Sequence, residues 1–143
     1  SVPQGENPAQ EAKNILEKWK ADGIIQQDIV PGIYVYYQYF RVPGEHEERC
    51  RKGFMVHIKA TDWSEGVIFR HENTIVSAVN DRIDLLQATE IQASPTHGLY
   101  EDESKELEEL MDAAIVDPLY ELEDYQGVRE VLAVIQDPEI ISK

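Results

Sequence analysis

An α+β fold, an antiparallel sheet of hairpins with about three helices packed on it, is what this sequence predicts. Three observations support that expectation. Two pairs of strand-like runs, within residues 31–63 and 118–137, are each joined by a loop or turn rather than by a crossover helix. Three other stretches carry apolar residues at three- and four-residue spacing, the signature of a helix with one buried side. The resulting order, α-β-β-β-α-β-α-β-β, lacks the regular alternation of a doubly wound parallel sheet.

The opening "SVPQGENP" is polar and broken by Pro and Gly, so residues 1–8 read as a flexible lead-in to a single domain over 9–143. A helix follows in "NPAQEAKNILEKWKADG", with Asn7 as its cap, Pro8 in the first helical position and Gly23 past its end. Ala12, Ile15, Leu16 and Trp19 form its apolar stripe. The runs "PGIYVYYQYF" (31–40) and "KGFMVHIKATDW" (52–63) are β-branched and aromatic and predict a hairpin with a long charged connection. In the second run Phe54, Val56 and Ile58 alternate with Met55, His57 and Lys59, which predicts one buried face. "VIFRH" (67–71) predicts a third strand, and a helix is expected from about residue 75 to 87, with Val79, Ile83 and Leu86 on its core side. "ASPTHGLY" (93–100) predicts a short buried strand, and "EDESKELEELMD" the wet face of a helix over about 103–115. "PLYELED", the turn "YQG" and "REVLAVIQD" predict a closing hairpin. Trp19, Phe54, Ile58, Ile68, Ile83, Leu86 and Leu110 are the expected core.

"DPEIISK" starts a new helix, with Asp137 as cap and Pro138 in the first turn, and the chain ends about one turn later. So short a helix is not stable alone. With Ser1 in first place, this predicts a fragment of a longer chain, in which Ile140 and Ile141 lack a core partner and either pack on a neighbouring molecule, giving self-association, or are poorly ordered.

The 143 residues carry a formal charge of −15, which disfavours DNA or RNA, whose phosphates are bound by Lys and Arg. No apolar run approaches the roughly 20 residues of a membrane span, and no signal segment opens the chain, so a cytoplasmic location and no membrane partner are expected. Cys50 is the single cysteine. Between Arg49 and Arg51 its thiol reads either as activated or, more simply, as a bystander. His57 and His97 could join a zinc site, but no Cys or His pair has ligand spacing, so no metal site is expected. No glycine-rich phosphate loop or nucleophile elbow occurs, and the sequence leaves the cofactor open.

The polar cluster in "GVIFRHENTIVSAVNDRIDLL" (66–86) is the candidate site. Where a strand meets a helix start, free amides, the Thr74 hydroxyl and His71 suit a phosphate or carboxylate. His71 can act as acid or base near neutral pH, with Glu72 to orient it; these two are the catalytic candidates. Thr74 and Arg82 are the anion-binding candidates, and Asn73 and Asp81 the supporting ones. The plainer reading also stands: Thr74 or Asn73 caps the helix, Glu72 sits near its positive end, and Asp81 and Arg82 are surface charges.

This cluster, "EGVIFRHENT" followed by "NDRIDLL", resembles the uncharacterised bacterial and archaeal family known as domain of unknown function 1015. Trp19 to Gly23, "IYVYYQYF", "RKGFMVHI" and "GVREVLAVIQD" fit the same family in order, from about Glu11 to Ile140. Many relatives carry a basic residue just before the Asp-Arg pair, where this chain has Val79 and Asn80. In the family a downstream Gly-His-His-Arg is similar to the motif with which the ParB and sulfiredoxin group handles nucleotide phosphates. The resemblance therefore implies a module of a phosphoryl-transfer or nucleotide-dependent enzyme, with a nucleotide or phosphorylated small molecule as ligand and part of the site outside this chain. The alternative is a non-catalytic structural or protein-interaction domain.

Overall fold

The computed structural model describes residues 7–142. They fall into two compact units, residues 7–28 with 60–98 and residues 29–59 with 99–142.

In the first unit, α1 (Pro8–Ala21) starts where the sequence marks it. Asn7 Oδ1 accepts from the Gln10 N–H at 3.2 Å, satisfying one of the amides that a helix start leaves free. Lys18 and Lys20 lie in the last turn, where positive charge suits the dipole, and Gly23 follows at φ +70°. α1 packs on α2 (Val76–Thr89). The half-buried Ala12, Ile15 and Leu16 on α1, and Leu85, Ala88 and Thr89 on α2, mark the faces sheltered from solvent. Thr89 Oγ1 donates back to the Leu85 carbonyl at 2.8 Å, and Glu90 ends the helix in the left-handed region.

The second unit holds a four-stranded antiparallel sheet of order β2-β1-β4-β3, formed by β1 (Ile33–Arg41), β2 (Glu48–Met55), β3 (Tyr120–Glu123) and β4 (Arg129–Ile135). Alternation in β1 sends Val35 and Tyr37 to one face, level with Ala133 and Val131 of β4. Helix α3 (Glu106–Ala114) covers that face with Met111, and these five residues with Ile135 are the buried core. At the β3–β4 turn, Asp124 Oδ1 accepts from the Gln126 and Val128 amides at 2.8 and 2.9 Å, and Gly127 supplies φ +78°. A last turn, α4 (Pro138–Ile141), is capped by Asp137, whose Oδ1 accepts from the Glu139 N–H at 2.9 Å.

The predicted α+β class is observed, with four α-helices and a four-stranded antiparallel sheet among the described residues. Several element predictions need correction. β2 runs over Glu48–Met55 rather than 52–63: it starts opposite Arg41, the last residue of β1, and its ladder stops at the Tyr34–Met55 pair, so residues 56–63 lie outside it. Residues 67–71 are not a strand: a 3₁₀ turn, Trp63–Glu65, precedes them, and Val67 and Phe69 are exposed with no ladder beside them. Residues 93–100 are likewise irregular and exposed. Of the expected core, Trp19, Ile58, Ile83 and Leu86 are exposed, and Phe54, Ile68 and Leu110 only half-buried. The stripe of Val79, Ile83 and Leu86 is thus not a core face, since α2 packs through other residues. Ile140, expected to lack a core partner, packs against the buried cluster, whereas Ile141 is exposed.

Candidate functional site

Residues 60–76 lead into α2 through one ordered turn. Asp62 Oδ1 accepts from the Ser64 amide at 2.9 Å and from its hydroxyl at 2.7 Å, while Glu65 Oε1 accepts from the Asp62 N–H at 2.7 Å. This reciprocal capping box holds the Asp62 carboxyl below its ordinary range, through the two bonds from Ser64. Gly66 closes the turn, and irregular backbone follows up to α2. Arg70 bridges this stretch. Its guanidinium lies 4.9 Å from the centre of the Trp63 ring, and Nη1 donates to Asn73 Oδ1 at 2.8 Å.

With Asn73 engaged by Arg70, neither of the expected caps serves α2. The residue at the cap position is Ile75, which has no side-chain acceptor for the first amides, and no acidic residue lies in the first turn. The predicted cap role of Thr74 or Asn73 is therefore incorrect. The start of α2 keeps the amides of Val76 and Ser77 without a side-chain partner, so its positive end is not neutralised from within.

His71, Glu72, Asn73 and Thr74 share one exposed segment at this end of α2. The side chains of His71, Glu72, Thr74, Asp81 and Arg82 make no hydrogen bond or ion pair among the described residues, so Glu72 does not hold His71 here. Arg82 lies six residues past Val76, about 9 Å along the axis at 1.5 Å per residue, and, as at every helical position, its Cα–Cβ bond tilts toward the helix start. Asp81 differs. With Asp84, Gln87 and Ala88 it lines an open concavity of about 520 Å³ against Asn7, Pro8 and Gln10 at the start of α1. Arg82, turned about 100° from Asp81, does not line that opening. The structure thus groups four of the six candidates on one segment, puts Arg82 along the same helix, and turns Asp81 toward α1.

The best-connected polar group lies in the second unit and escaped the sequence reading. Asp112 on α3 accepts from the Tyr37 hydroxyl at 2.6 Å and from Lys52 Nζ at 2.7 and 2.9 Å, and Lys52 also reaches Glu108 at 2.8 Å. Burial, then the bond to Asp112, pushes the Tyr37 phenol well above its ordinary value. Bonds from Lys52 and Tyr37 hold the Asp112 carboxyl low, and the bonds to Asp112 and Glu108 raise Lys52. The group joins helix to sheet. Its one sequence signal was Lys52, the cation that opens the second run of the first hairpin.

Cys50 is a correction to one of the two readings of its thiol. In β2, Arg49 and Arg51 alternate to the opposite face, and Cys50 pairs with Tyr39. Burial pushes the thiol up, against the bond to Tyr39, so its sequence neighbours do not activate it.

Among the described residues no helix is long and apolar enough to cross a membrane, and no group of three or more His, Cys, Asp or Glu is arranged to hold a metal ion. A family model described as "protein of unknown function (DUF1015)" matches residues 2–143. The chain belongs to that family. Neither a curated protein nor a solved structure matches the chain.

Proposed function

We propose that this member of the family is a module of a phosphoryl-transfer or nucleotide-dependent enzyme, with an anion site where His71, Glu72 and Thr74 meet the start of α2. The observation that carries the reading is the start of α2 itself. A fourteen-residue helix keeps its first amides free of any side-chain cap, beside a His, a Thr and, farther along, an Arg whose side chains have no hydrogen bond or ion pair among the described residues. Such an end attracts a phosphate or carboxylate, since amides and dipole both favour negative charge. Thr74 adds a hydroxyl and Arg82 a two-pronged cation. His71 is the candidate for proton transfer, with Glu72 to orient it once a ligand is bound. The expected ligand is a nucleotide or phosphorylated small molecule rather than nucleic acid, whose many phosphates a net charge of −15 repels.

One observation favours a second reading, a non-catalytic protein-interaction domain: Val76, Val79, Ile83 and Leu86 form an exposed apolar stripe on α2. Thermal unfolding with inorganic phosphate, a nucleoside monophosphate and a nucleoside triphosphate, at matched ionic strength, separates the two. A ligand held by the native state at 100 times its Kd adds about 2.7 kcal/mol. A raised melting temperature with any of the three supports the anion site. An unchanged one with all three leaves the interaction reading.

A further inference from the structure

We draw no further inference here: the strongest candidate, the exposed apolar stripe of Val76, Val79, Ile83 and Leu86 along α2, is an unpartnered helix face, and nothing in the structure shows what covers it.

Discussion

Lys52 Nζ stands 2.7 Å from Asp112 Oδ1, so a strand at the sheet edge is tied to the helix that covers the core. The same oxygen accepts from Tyr37 on the neighbouring strand, and Glu108, one turn earlier on α3, accepts from Lys52 as well. A single lysine thus balances two carboxylates of a helix whose first turn also holds Glu106 and Glu109.

Lys52→Met keeps the aliphatic stem and removes the charge. The Asp112 side chain is 49% exposed and that of Glu108 37%, so water screens both pairs and the loss is about 1 kcal/mol. The pH dependence has a defined sign. Asp112 is lowered on folding, so its contribution is complete above its unfolded value, about 3.9, and fades as the pH falls through the folded one. Lys52 is raised, so its contribution is complete below about 10.4 and fades above that. Urea midpoints should therefore separate wild type from variant at pH 7 and converge toward pH 3. Equal midpoints at pH 7 would show that the tie carries no stability.

Tyr37→Phe tests the other half of the group. The side chain is almost wholly buried and keeps its ring, so the loss is one hydrogen bond to a charged acceptor, about 1.5–3 kcal/mol. Because the phenol is raised, it stays protonated at a pH that ionises an ordinary tyrosine. Alkaline titration of the folded chain should show the same phenolate amplitude with and without Tyr37, the difference appearing only on unfolding. A smaller amplitude in the folded variant would mean that Tyr37 titrates normally and is not held by Asp112.

Which elements the sequence revealed follows from how local their causes are. α1 was legible because its signals, Asn7, Pro8 and Gly23, act within a few residues. So was the β3–β4 hairpin, where Asp124 and Gly127 build the turn from neighbouring atoms. β2 was misplaced by several residues because its extent is set by its ladder with β1, from Glu48 opposite Arg41 to Met55 opposite Tyr34, a long-range fact. "VIFRH" has the composition of a strand but pairs with no strand among the described residues, and composition cannot supply a ladder. The candidate site was legible in part: residues 71–74 do collect at the start of α2, but the true cap position and the engagement of Asn73 by Arg70 depend on a turn near Trp63 that periodicity does not register.

Burial gives a paired prediction. Val35 is completely buried between Phe54 and Ala133, so Val35→Ala leaves a cavity and costs about 2 kcal/mol. Ile83, which the sequence placed in the core, is 45% exposed, so Ile83→Ser should change stability by about 0.5 kcal/mol or less. Denaturant midpoints for both variants provide the measurement. A large loss at Ile83 would mean that the stripe on α2 is covered in solution.

The anion site makes the sharpest demand, because capping and binding compete for the same amides. Ile75 occupies the cap position of α2 and is 74% exposed, so replacing it removes little buried surface. In Ile75→Asp the new carboxylate can accept from the Ser77 N–H and should stabilise the helix by about 1 kcal/mol. It also places a negative charge where a bound phosphate would sit. Ile75→Asp should therefore melt higher than wild type and yet lose the melting shift given by phosphate or nucleotide. His71→Ala and Arg82→Ala, which break no hydrogen bond or ion pair among the described residues, should keep the wild-type melting temperature and lose the same shift. Isothermal titration with the nucleotide that shifts wild type provides the direct comparison. If Ile75→Asp binds as tightly as wild type, the ligand does not use the start of α2. If His71→Ala and Arg82→Ala bind normally but melt well below wild type, those residues support the fold and the enzyme reading fails.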